Sequence, residues 1–171
     1  MNLKHVGLLL ALAASGMVPA ADDPVLSSAQ IEQALAPPMK TRGFQPRGLA
    51  RRAAAAEEQS VNLNIPFELN SSALKPQASA QLTQLEQALS SPALLKDRFI
   101  VGGHTDAKGS AAYNKQLSLK RAQTVKSFLI ARGLDPKRLD TAGFGSERLL
   151  NPDHPDDPSN RRVEIRAIPT P

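Results

Sequence analysis

Asp106, Asn114 and Arg121 are the residues of this 171-residue chain whose types and spacing invite chemistry. Asp106 is a carboxylate in the polar stretch that follows Gly102-Gly103, and Arg121 is a guanidinium well inside a predicted helix. A carboxylate accepts hydrogen bonds from cations, and an arginine offers a rigid fork of donors that matches a carboxylate. Asn114, Arg121 and Phe128 are spaced by seven, so they fall close to one face of that helix. Arginine is almost never buried without a partner, and a guanidinium on the inner side therefore points to a functional site. The plainer reading is a loop aspartate capping the helix and an arginine in a surface ion pair. Spacing alone does not bring the two together. A helical rise of about 1.5 Å per residue keeps them apart unless the loop folds back.

The elements that must position these residues are legible on either side. Phe99-Ile100-Val101 is a short apolar run closed by Gly102-Gly103, which predicts a strand ending at a turn. Leu117, Val125, Phe128 and Leu129 recur at helical spacing, with Gly133 as the C-terminal cap after Arg132. Upstream, Val61, Leu63, Ile65 and Phe67 alternate with polar residues and Pro66, a half-buried strand with an edge or bulge at the proline. Asn70-Ser71-Ser72 makes a turn, and Lys75-Pro76 opens a helix with the stripe Ala78, Leu82, Leu85 and Leu89. Downstream, Leu139 to Phe144 is a third strand and residues 145–159 a polar loop containing three prolines. In the last strand Val163, Ile165 and Ala167 alternate with Arg162, Glu164 and Arg166. Arg161 shares the inward face with Val163 and Ile165, whereas Arg162, Glu164 and Arg166 read as a solvated face. The order β-α-β-α-β-β predicts an α+β sandwich with two main helices on one face of a mixed sheet.

The ends of the chain bound the compartment. Residues 1–21 combine Lys4, an apolar core from Val6 to Ala14 and small residues around Ala20, the pattern of a cleaved signal peptide. That core is far shorter than the roughly 20 residues a membrane helix needs, so no transmembrane segment is expected in the mature chain. The formal charge of +5 suits an anionic polymer or surface, and export removes nucleic acid from consideration. No cysteine is present, which excludes disulfides and a lipid attached at cysteine. Residues 22–58 read as a flexible basic N-terminal extension, with a short helix-start pattern at Ser28 in which Ile31 and Leu35 lie four apart. Residues 59–168 form the folded domain, and 169–171 a tail.

The run TDxxGxxxYNxxLSxxRAxxVxxxL, here Thr105 to Leu129, resembles the signature of the OmpA-like peptidoglycan-binding domain family. The similarity extends from Phe67-Glu68-Leu69-Asn70 to Asn160-Arg161-Arg162-Val163-Glu164, roughly residues 60 to 168. It implies a non-catalytic, cofactor-free domain that binds the diaminopimelate residue of the cell-wall stem peptide, in the periplasm, and anchors an envelope component at the wall. By this resemblance Asp106 takes the ligand ammonium and Arg121 its carboxylate, Thr105 and Asn114 add hydrogen bonds, and Arg161 matches the first arginine of the terminal motif. Two positions depart from the family pattern. Lys120 stands where relatives often carry arginine, and Ala73 where they are often polar. The competing expectation is a periplasmic protein–protein interaction module whose N-terminal extension docks on an envelope partner. His104 is expected to be a locally bonded strand-end residue, and Asp153-His154-Pro155-Asp156-Asp157 a solvated acidic loop rather than a metal site.

Overall fold

The computed structural model describes residues 25–37 and 59–168. The predicted signal peptide, most of the N-terminal extension and the tail lie outside the described residues. Helix α1 (Ser28–Leu35) is followed by β1 (Ser60–Leu63), α2 (Ala78–Leu89), β2 (Arg98–His104), α3 (Ala111–Ala131), β3 (Leu139–Gly145) and β4 (Val163–Ile168). The strands form one sheet in the order β1-β4-β2-β3. The last strand of the chain therefore sits inside the sheet, antiparallel to β1 and β2, while β2 and β3 run parallel. Val61, Ile165 and Val101 are in register across three strands. With Leu63, Phe99, Leu139 and Val163 they bury against the stripe Ala78, Leu82, Leu85 and Leu89 of α2 and against Ala122, Val125 and Leu129 of α3. The expected α+β architecture is the observed one, with one helix added.

That helix is α1, and it changes the reading of residues 22–58. Ile31 and Leu35 are fully buried in the common core. Their helix starts one residue earlier than expected: Ser27 is the cap, and it forms a reciprocal capping box with Gln30. α2 holds the incoming strand of chain through its glutamines. Gln81 exchanges two hydrogen bonds with the Leu26 backbone, at 2.8 and 3.1 Å, and Gln84 accepts from Ser28 N–H at 2.8 Å. The start of the extension is thus part of the folded unit. Two large apolar residues in eight are too few for periodicity to distinguish a docked helix from a solvated one.

Strand β2 runs through Gly102-Gly103 instead of ending there. The glycines serve close approach rather than a turn. A Cβ on Gly103 would lie 2.0 Å from the Ser118 carbonyl oxygen, and one on Gly143 would lie 2.6 Å from the Lys115 carbonyl. The inner stripe of α3 is correspondingly rotated from the expected one. Asn114, Ser118, Ala122, Val125 and Leu129 are buried, while Leu117 and Phe128 are only half-buried. Small and polar residues fill the seam because backbone, not side chains, fills the other side. β1 is short and lies at the sheet edge, ending before Pro66, which cannot donate to a ladder. Phe67 then makes a single bridge to Leu74 across a loop in which Asn70 takes φ +50°.

Candidate functional site

The loop carrying Asp106 does fold back. Asn114 donates from Nδ2 to the carbonyls of Lys108 (2.9 Å) and Asp106 (3.4 Å), pinning residues 106–108 against the start of α3. The helix itself is capped by Ser110, whose hydroxyl accepts from Tyr113 N–H, so Asp106 is not the cap. Thr105 is fixed from two sides: its N–H donates to the Gly145 carbonyl at 2.9 Å, and its hydroxyl donates to the Asp106 carbonyl at 2.9 Å. Gly145 is tied in turn to α3, donating to Ser118 Oγ at 2.9 Å. A chain of contacts from Ser118 through Gly145 to Thr105 thus sets the position of Asp106.

The proline-containing loop is ordered by one side chain. Asn160 is fully buried; it accepts from Asn151 N–H at 2.9 Å and donates to the carbonyls of His154 and Pro155, each at 3.1 Å. Pro155 also accepts from Ala107 N–H at 3.0 Å, and His104 N–H donates to the Arg162 carbonyl. These bonds bring Arg161 to the Asp106 loop across 55 residues of sequence, and Arg161 Nη1 lies 2.9 Å from Asp106 Oδ2. Asp106 Oδ1 accepts from Lys108 N–H at 3.3 Å.

Arg121 reaches the same place separately. Its Nε donates to the Ser71 carbonyl at 2.9 Å, and its guanidinium lies over the Phe67 ring, 4.9 Å from the centroid. Burial lowers its pKa, the nearby charge of Arg161 lowers it further, and Tyr113 and Asp106 act in the opposite direction. Asp106 and Arg121 therefore belong to one electrostatic cluster, although the ion-pair partner of Asp106 is Arg161. The cleft between them measures about 580 Å³ and is lined by Thr105, Asp106, Asn114, Arg121 and Arg161, with Tyr113, Lys75 and Lys108 at its sides. All five residues singled out from the sequence meet here, in unequal roles. Asp106, Arg121 and Arg161 present charge, whereas Thr105 and Asn114 spend their donors on the loop backbone. The sequence reading missed the roles of Ser118, Asn160 and Phe67. All three lay within the quoted motifs, but nothing local shows which polar side chain will be buried or which ring will carry a guanidinium.

The outer sheet face is less solvated than expected. His104 is buried and stacked on Phe144 at 5.0 Å, and its Nε2 lies 3.1 Å from Glu164 Oε2. Arg166 Nη2 holds the other Glu164 oxygen at 3.1 Å, and Arg162 donates to Asn62 Oδ1. The Glu164 carboxyl is held down at about 2, chiefly by the His104 hydrogen bond, against burial and with help from Arg166. Because this carboxylate stays charged, Nε2 of His104 carries the proton it donates. A carboxyl whose pKa is lower in the folded state stabilises the fold above its ordinary value of 4.5 and loses that contribution as pH falls toward 2. Glu164→Gln is expected to cost on the order of 2–3 kcal/mol at pH 7. Urea unfolding should show roughly half that cost at pH 3. Equal costs at both pH values would refute the assignment.

Comparison with known proteins agrees with this architecture. The chain is 37% identical over 112 residues to outer membrane protein A of Bordetella avium, covering 63% of this chain and 55% of that protein. It is 34% identical over 102 residues to the peptidoglycan-associated lipoprotein of Pseudomonas aeruginosa, covering 58% and 59%. The chain thus spans little more than half the length of either relative. Among solved structures, the OmpA-like domain of FopA1 from Francisella tularensis superposes with a TM-score of 0.56 at 27% identity, covering 64% of this chain and 73% of that one. With the OmpA family matched over residues 66–163, more than half of its length, the chain belongs to that family.

Proposed function

We propose that this protein binds peptidoglycan non-covalently through the diaminopimelate residue of the stem peptide, and so anchors or positions an envelope component at the cell wall. The observation that carries this reading is a cleft joining one nearly buried carboxylate, Asp106, to two guanidinium groups, Arg121 and Arg161. The free end of diaminopimelate bears an ammonium and a carboxylate on one carbon. Asp106 suits the ammonium, and Arg121 offers the carboxylate the nitrogens it does not spend on Ser71. One of the relatives is named for its association with peptidoglycan, and the N-terminal signal pattern would deliver the protein to the wall. No helix among the described residues is long and apolar enough to cross a membrane.

The alternative, docking of the N-terminal extension on an envelope protein, is weakened for residues 28–35, whose apolar face is spent on this domain's own core. Co-sedimentation with insoluble diaminopimelate-type peptidoglycan separates the two readings. Wild type is expected in the pellet, and Asp106→Asn, of equal size, is expected to bind about 10- to 100-fold more weakly, the worth of a charge-assisted hydrogen bond. Wild type left in the supernatant would sink the proposal.

A further inference from the structure

The place where the ligand ammonium should go is already occupied. Asp106 has a side chain only 12% exposed, and its two oxygens accept from Arg161 Nη1 at 2.9 Å and from Lys108 N–H at 3.3 Å. Its charge is satisfied before any ligand arrives. Arg161 differs from Asp106 in being half in water, with 46% of its side chain exposed. Its backbone is anchored by the N–H bond to the Pro158 carbonyl and by the neighbouring buried Asn160. The guanidinium can therefore swing on a fixed Cα. Arg121 sits across the same cleft, near enough for the two charges to repel.

We propose that Arg161 is a latch that sets specificity for a zwitterion: it holds Asp106 until a ligand supplies an ammonium for Asp106 and a carboxylate for the two arginines. The inference rests on the peptidoglycan reading above and adds the basis of discrimination. A ligand that brings only an ammonium exchanges one ion pair for another and leaves Arg161 without an anion. A ligand that brings both charges replaces one internal pair with two intermolecular ones and relieves the repulsion between Arg121 and Arg161. The chemical distinction is that between a diaminopimelate side chain and a lysine side chain at the same place in a wall peptide. The lysine has the ammonium and lacks the carboxylate. Arg161 makes the site reject lysine by charging it for opening the latch, a specificity obtained by leaving a group unpaired in the wrong complex.

The test is calorimetric titration with two synthetic tripeptides, acetyl-L-alanyl-γ-D-glutamyl-meso-diaminopimelate and the same peptide ending in L-lysine. Wild type, Arg161→Gln and Arg161→Lys are compared. Wild type is expected to prefer the diaminopimelate peptide by about 100-fold, two charge-assisted contacts' worth. In Arg161→Gln the lysine peptide should gain about tenfold while the diaminopimelate peptide loses affinity, so that the preference falls to about tenfold or less. Arg161→Lys keeps the opposing charge and should restore most of the preference. Because each preference is a ratio measured within one protein, a partly unfolded variant still reports it. A ratio in Arg161→Gln within threefold of wild type overturns the latch. Wild type binding neither peptide removes the peptidoglycan reading, and the latch with it.

Discussion

Gly103→Ala is expected to abolish or severely weaken the fold, although it adds a single methyl group. The new Cβ would stand 2.0 Å from the Ser118 carbonyl oxygen, 2.7 Å from its carbon and 3.1 Å from its Cα. All three are helix backbone atoms, so no flexible side chain can yield. Either α3 lifts from the sheet or β2 shifts, and both movements open the core at Val101 and Val125. Overpacking usually costs about 1–3 kcal/mol, occasionally more. A backbone-to-backbone clash puts this change at or above about 3 kcal/mol, a large part of the roughly 5–15 kcal/mol available to a domain. Gly109→Ala is the fitting control. It has φ +89° but nothing within 4 Å of the added carbon, so only the left-handed conformation is penalised, by about 1–2 kcal/mol. Thermal unfolding of the pair distinguishes space from conformation. A Gly103→Ala protein melting above Gly109→Ala would contradict the seam described for α3.

Arg121→Ala is expected to remove wall binding almost entirely, by about 100-fold or more if two charge-assisted contacts are lost. Arg121 is prepared for this role in a way a lysine cannot reproduce. Its Nε is committed to the Ser71 carbonyl and its plane rests on Phe67, so the remaining nitrogens are aimed without further ordering. Arg121→Lys keeps the charge but loses the fork and the stacking, and should bind about tenfold more weakly than wild type. The two variants belong in one co-sedimentation series over a range of peptidoglycan concentrations. Equal capture of wild type and Arg121→Ala would show that the cleft is not the binding site. The variant will also lose the tether to the 68–71 loop, so its melting temperature should be measured alongside.

Local patterns carried most of the architecture. Alternation in Val163, Ile165 and Ala167 marks a half-buried strand wherever that strand lies, and the stripe from Ala78 to Leu89 marks a helix whatever it packs against. These are properties of a few consecutive residues. The errors fell where a residue's role depends on something distant. Gly102-Gly103 reads as a turn, and only the neighbouring backbone of α3 makes it the tight seam of a strand. Ser118 looks like the polar side of a helix, yet it is buried because β3 supplies its partner, Gly145 N–H. Ile31 and Leu35 could not announce α1 as core, since their cover comes from α2 and β1.

The sequence by itself determined the elements, the α+β class and, through the motif spanning Thr105 to Leu129, the group of residues worth watching. The tertiary structure alone decided how that group is wired. Asp106 is joined to Arg161 rather than Arg121, and Thr105 and Asn114 line the cleft while spending their side-chain donors on the loop carbonyls. The reason is physical. Periodicity records which face of an element is apolar, whereas an ion pair across 55 residues exists only after β4 has entered the sheet between β1 and β2 and buried Asn160 has closed the loop beside it.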